Sequence, residues 1–249
     1  MKNKLKFYGA ILAAPLLAAS MQAKAVPVDL ELSLVIDVSG SVSASEYNLM
    51  MDGYASAFRD TAIQSNILSG TNGGIAVNTI FFASGAFTTV LDTFSLLDSA
   101  ASIDAYANIL DLFVRPGSGG TSIHTGTNKA ISLLQADTLF EGVSSVIDIS
   151  GDGTGSSGSD QAARAAAALA GFTVNGITIG STSVNTYYQN NVITSDGFAI
   201  HATDFTAFAT GIRDKLNIET GGTVPEPASL ALLGLGLAGM GFSRRKKKA

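Results

Sequence analysis

The chain has 249 residues, with 15 Lys and Arg against 20 Asp and Glu, and no cysteine. Nine of the basic residues sit near the two ends, at positions 2, 4, 6, 24 and 244–248, so residues 26–223 carry six basic against nineteen acidic side chains, a net charge of −13. A surface of that sign repels phosphate backbones and argues against a nucleic-acid partner; the missing cysteines exclude disulfides and thiolate metal sites.

At the N-terminus, Lys2, Lys4 and Lys6 precede an apolar run over 7–19, and Ala23 and Ala25 flank Lys24. That is the layout of a secretory signal peptide cleaved after Ala25, and the run is short for a membrane span. Residues 26–218 are expected to form one domain, followed by a linker over 219–227. A strand is predicted over 28–38; it begins with alternation at Val28, Leu30 and Leu32 and becomes continuously apolar at Leu34, Val35 and Ile36, as in a strand buried on both faces. Ser43 and Glu46 have the spacing of a capping box, opening a helix with Tyr47, Met51, Tyr54, Phe58 and Ala62 on one face. Strands are predicted over 75–83 and 88–96, with Gly85 in the turn between them.

A helix over 100–113 ends before Pro116, and the Gly-rich loop 116–120 leads into another helix through Leu134. A strand over 143–149, an Ala-rich helix over 160–170 and a strand over 172–179 follow. A polar segment around Tyr187 and Tyr188 precedes a short strand over 198–202. Asp204 caps a last helix whose face is Phe205, Phe208, Ile212 and Leu216. Strands alternating with helices predict a doubly wound α/β fold: a mostly parallel central sheet with one antiparallel edge strand and helices on both faces.

Three loops carry the chemistry. Asp37-Val38-Ser39-Gly40-Ser41 follows the first strand, Gly119-Gly120-Thr121-Ser122 opens a helix, and Ser150-Gly151-Asp152-Gly153 follows the strand ending at Ile149. Parallel α/β sheets gather such loops at the carboxyl ends of their strands, where the strand order switches. Two carboxylates and three hydroxyls would meet there, all of them oxygen, a set that suits Mg²⁺ best, with Mn²⁺ or Ca²⁺ as alternatives.

The D-x-S-x-S loop, the later Thr121 and the Asp152-Gly153 pair resemble the metal-ion-dependent adhesion site of von Willebrand factor A-type and integrin inserted domains. The stretches VDLELSLVIDVSGSV, GGTSIHTG, VIDISGDG, GFTVNGITIG and YYQNNVI resemble a family of secreted bacterial A-type proteins of uncharacterised function. The resemblance implies that Ser39, Ser41 and Thr121 contact the metal directly, while Asp37 and Asp152 act largely through water. It further implies a coordination position that a partner's carboxylate can fill, and a shift of the last helix on binding. Pro225-Glu226-Pro227, the apolar stretch 228–242 and the basic run 244–248 resemble a PEP-CTERM sorting tail, which implies an exosortase as partner and a membrane association confined to residues 228–249.

The expected role is therefore metal-dependent binding of a protein or acidic polysaccharide, at the cell surface or in the extracellular matrix. The alternative is a structural matrix protein whose metal only stabilises the fold. No enzyme is expected: a nucleophile needs a base, the chain has only two histidines, and no G-x-S-x-G elbow occurs. His124, in the first turn after Thr121, is expected at the rim of the site, and His201 in a far-edge strand. Asp148, inside a strand, needs a partner; it is read either as support for the metal loops or as an acceptor on a partly exposed face. The loop over 154–159 is either a contact surface or merely mobile, and Tyr187 and Tyr188 are either an exposed patch or core.

Overall fold

The computed structural model describes residues 24–221. Residues 1–23 of the expected signal peptide (1–25) and the C-terminal tail lie outside the described residues. The elements in chain order are β1 (Val26–Asp37), α1 (Ala44–Phe58), α2 (Thr61–Ser69), β2 (Ile75–Phe82), β3 (Ser95–Leu97), α3 (Ala100–Asp111), α4 (Ile123–Ala136), β4 (Phe140–Gly151), α5 (Ser157–Leu169), β5 (Thr173–Ile179), α6 (Thr182–Asn191), β6 (Ala199–Ala202) and α7 (Phe205–Glu219).

The strands form one sheet in the order β3-β2-β1-β4-β5-β6. Every pairing is parallel except β2 with β3, so the antiparallel strand is at the edge, as the pattern predicted. The chain winds one way from β1 to β2 and the other way from β1 to β4. Side-chain alternation along β1 then sorts the core. Leu30, Leu32, Leu34 and Ile36 pack into the layer under α1, α2, α3 and α7, while Val35 packs with α4, α5 and α6 on the other face. Because β1 and β4 are neighbours at the switch in winding, Asp37 and Gly151 end side by side at one crevice.

Local chemistry sets the element ends. Ser43 and Glu46 form the expected capping box of α1, and Asp204 accepts from the Ala207 N–H at the start of α7. The single helix predicted from Ser43 to Ala62 is instead two. Asp60 accepts from the Ala62 and Ile63 N–H groups and starts α2 afresh, because a side chain that bonds its own following backbone competes with helix continuation. The strand predicted over 88–96 shrinks to the three residues of β3. Ahead of it, Thr89 caps a short 3₁₀ turn, Val90–Asp92. The polar segment around Tyr187 is α6, capped by Ser181, with Val184 and Tyr188 buried.

Helix α4 packs closely on β1 and β2. A methyl group on Gly126 would stand 2.6 Å from Val35 Cγ1 and 3.0 Å from the Phe82 ring, both fully buried. Gly126→Ala should therefore destabilise the domain by about 1–3 kcal/mol in urea unfolding, despite the better helix propensity of alanine.

Candidate metal centre

The three loops meet at the crevice. Asp37, the last residue of β1, is fully buried; its Oδ1 accepts from the Ser39 N–H at 2.7 Å, and its Oδ2 has no hydrogen-bond partner among the described residues. The remaining side chains form a continuous string. The Thr121 hydroxyl donates to Ser39 Oγ at 3.1 Å, Ser39 Oγ stands 3.1 Å from Ser41 Oγ, and the Ser41 hydroxyl donates to Asp152 Oδ1 at 2.7 Å. All five sequence-predicted residues are thus brought together. Ser39 is buried, Thr121 and Asp152 are half-buried and Ser41 is exposed, so the group opens towards solvent at one side.

Backbone fit explains the glycines. Gly40 N–H donates to Gly119 O at 2.7 Å, joining the first loop to the second. Any β-carbon at Gly151 would stand 2.9 Å from Asp37 Oδ2 and 2.6 Å from the Tyr188 hydroxyl, and one at Gly153 would stand 3.0 Å from Thr121 Oγ1. Gly119 has φ of 157°, and a β-carbon there would press on Ser84 Oγ at 2.6 Å. Ser84 in turn accepts from the Gly120 N–H at 2.7 Å and holds the second loop in place.

Sequence reasoning passed over Arg115. Its guanidinium donates to the carbonyls of Val38 at 2.6 Å and Ser39 at 2.7 Å, clamping the first loop. The stem is fixed nearby, where the Phe113 ring stacks on Phe81 and the Phe113 carbonyl accepts from the Tyr47 hydroxyl. The one signal available in sequence was that Arg115 is among six basic residues in the mature stretch. Tyr188 and Asp160 were also passed over as neighbours of the site. Asp160 accepts from the His124 N–H at 2.9 Å and the Tyr187 hydroxyl at 2.7 Å, with His124 Nδ1 3.3 Å away. His124 is therefore next to the site and tied to α5. His201 is on edge strand β6, 3.3 Å from Thr178 Oγ1.

Asp148 corrects the sequence reading. It is fully buried rather than partly exposed, and its neighbour is Lys215 of α7, with Nζ 2.7 Å from Oδ1. It faces α7 and not the metal loops.

Charge decides what the site can take. Burial pushes the Asp37 carboxyl up to about 6, and the nearby charge of Asp152 adds to this, against the hydrogen bonds from Ser39 and the Arg115 charge. Two carboxylates, three hydroxyls and one unsatisfied buried oxygen fit a hard divalent cation bound through oxygen. Among the described residues no three His, Cys, Asp or Glu side chains cluster as a metal site; three of the five candidate ligands here are hydroxyls.

The family described as Protein of unknown function (DUF1194) matches residues 27–224. The chain belongs to the DUF1194 family. A second match, the PEP-CTERM protein-sorting motif, covers residues 223–246 and marks an exported protein with a C-terminal sorting tail. No helix among the described residues is long and apolar enough to cross a membrane. No curated protein sequence matches the chain.

Solved structures similar to this DUF1194 chain include proximal thread matrix protein 1 from the mussel byssus with a zinc-occupied MIDAS motif, at 16% identity over 80% of this chain and a TM-score of 0.55. A von Willebrand factor type A protein from Catenulispora acidiphila matches at 16% identity over 78% of this chain, with a TM-score of 0.55. The pilus adhesin SpaC from Lactobacillus rhamnosus GG, in its open conformation, matches at 17% over 78%, also with a TM-score of 0.55. The chain spans 47%, 43% and 30% of their lengths, respectively. The likeness establishes a von Willebrand A-like fold.

The raised Asp37 carboxyl sets a pH dependence. A group raised on folding stabilises the fold below its ordinary range near 4, and that contribution is lost as pH rises through about 6. In EDTA, urea unfolding should show Asp37→Asn gaining on the unsubstituted protein between pH 4 and pH 7, by up to about 3 kcal/mol. A gap that stays constant across that range would contradict the assignment.

Proposed function

We propose that the protein is an exported, metal-ion-dependent binding domain of the adhesion type, acting at the cell surface or in the extracellular matrix without catalysing a reaction. The observation that carries this reading is the unpartnered, buried Asp37 Oδ2 beside the hydroxyl string of Thr121, Ser39 and Ser41. Ser39, Ser41 and Thr121 would hold the cation, Mg²⁺ in the first instance, with Asp37 and Asp152 acting largely through water. When bound, the cation would supply positive charge that the two carboxylates, acting through water, offset only from a distance, and so a place for a carboxylate from a protein or an acidic polysaccharide.

The chain's own residues prepare that place. Arg115 fixes the first loop by its backbone, which leaves the Ser39 and Ser41 side chains free to turn towards an ion. Gly119 and Gly120, exposed at the rim, add no side chain that would obstruct a partner. The mussel thread protein, with its zinc-occupied MIDAS motif, and the pilus adhesin support the reading by analogy of fold. The same proposal takes residues 1–25 as a removed signal, residues 26–218 as the binding domain, and residues 219–249 as a linker and tail handled by an exosortase.

The test is capture from the extracellular matrix of the source bacterium, in Mg²⁺ and then in EDTA. The expected result is a partner retained only with Mg²⁺, lost for Asp37→Ala, and a melting temperature that chelation lowers by only a few degrees. A collapse of the fold on chelation, with no metal-dependent partner, would favour the structural matrix role instead. Arg115→Met should keep the fold but weaken Mg²⁺ binding about tenfold in calorimetric titration, because the loop carrying Ser39 and Ser41 is no longer pinned.

A further inference from the structure

Lys215 of α7 is fully buried, as is Asp148 of β4, and the Glu219 side chain one turn on is 1% exposed. Lys215 Nζ is 2.7 Å from Asp148 Oδ1 and hydrogen-bonds Glu219, whose Oε1 also accepts from Asn175 Nδ2 at 2.7 Å. The Phe198 ring lies 5.6 Å from Nζ, and the layer under α1 and α7 is apolar apart from the buried Tyr54 hydroxyl near the two carboxyl groups, its ring packed edge-on against Phe208. None of these residues belongs to the proposed metal site.

The cluster does not look like a settled ion pair. Two carboxylates crowd one amine, which leaves a net negative charge in a dry interior unless a proton is shared. Lys215 Nζ stands 2.7 Å from one oxygen of Asp148 and also touches Glu219, whose Oε2 has no hydrogen-bond partner among the described residues. A buried amine held against one carboxyl group, with a second acid touching the same amine, brings together the three groups that amide formation requires.

We propose that Lys215 and Asp148 condense to an intramolecular isopeptide bond, with Glu219 as the proton-transferring residue. Within the cluster, a proton passed from the ammonium to Asp148 leaves three neutral groups, provided Glu219 is also protonated. Burial favours that state, pushing the Glu219 carboxyl up to about 7 and raising Asp148 as well. The neutral Nζ then attacks Cγ of the protonated Asp148. Protonated Glu219 gives its proton to the departing hydroxyl while its other oxygen accepts one from the nitrogen, and so ends as it began. The C–N bond forms, the C–O bond breaks and one water leaves, with no change in oxidation state. Fixed proximity replaces the collision that makes such a reaction slow in solution. The bond would tie β4 to α7 and close a long loop, as a disulfide does in other exported domains, in a chain that has no cysteine. It would also forbid the sliding of α7 implied by resemblance to integrin inserted domains.

The experiment is mass spectrometry of the folded full chain, with tryptic mapping. The expected result is a deficit of one water, about 18 Da, carried by a branched peptide joining the Asp148 and Lys215 segments, with no cleavage after Lys215. Glu219→Gln should restore the full mass. If that variant does not fold, the map of the unsubstituted protein decides alone. A linear Asp148 peptide together with cleavage after Lys215 would overturn the proposal. So would a water loss that maps instead to Asp152-Gly153 or Asp196-Gly197, where succinimide formation gives the same deficit.

Discussion

One constraint organises the molecule: a carboxylate is buried at the end of the sheet's central strand. Asp37 is shut off from solvent there, and its hydrogen bonding among the described residues comes from Ser39, two positions on. The surroundings are built around that oxygen pair. Strand β4 must run beside β1 so that Gly151 can pass Asp37 without a side chain. Tyr188 closes the space from the α6 side, and Arg115 fastens the loop from the other. A carboxyl group held at such a cost is intelligible if an ion repays it.

The sequence made the local parts of this plan readable and hid the distant ones. The β1 run, the capping box at Ser43 and the three loops with their Asp, Ser, Thr and Gly residues are each decided within a few positions, so alternation and turn chemistry sufficed. Doubly wound order followed from strands alternating with helices. What could not be read depends on pairing across the chain. Arg115 reaches carbonyls 76 and 77 positions away, and Asp160 meets His124 across 36. Helix α6 escaped notice for a different reason. Its buried residues Val184 and Tyr188 stand four apart in a stretch otherwise rich in Asn, Thr and Gln, a stripe too thin to mark a helix by periodicity.

The two buried acidic centres differ in how they are compensated. Asp148 sits deep in the layer under α1 and α7, where a lysine from the last helix meets it. Asp37 sits at the carboxyl end of β1, with an opening to solvent through Ser41 and no hydrogen-bond partner for its Oδ2 among the described residues. The first centre is closed and joins elements of the fold; the second is open and incomplete. With a net charge of −13 over residues 26–223, the exterior would also attract divalent ions diffusely, so only a located ion distinguishes the site from its surroundings.

That distinction is best measured with Mn²⁺ as a paramagnetic probe in backbone amide NMR of the folded domain. The account predicts that the first resonances to broaden, at substoichiometric ion, belong to residues 39–41, 119–122 and 151–153, with those around Asp148 following only at greater distance. Broadening spread evenly over the acidic surface, or absent at millimolar Mn²⁺, would contradict it.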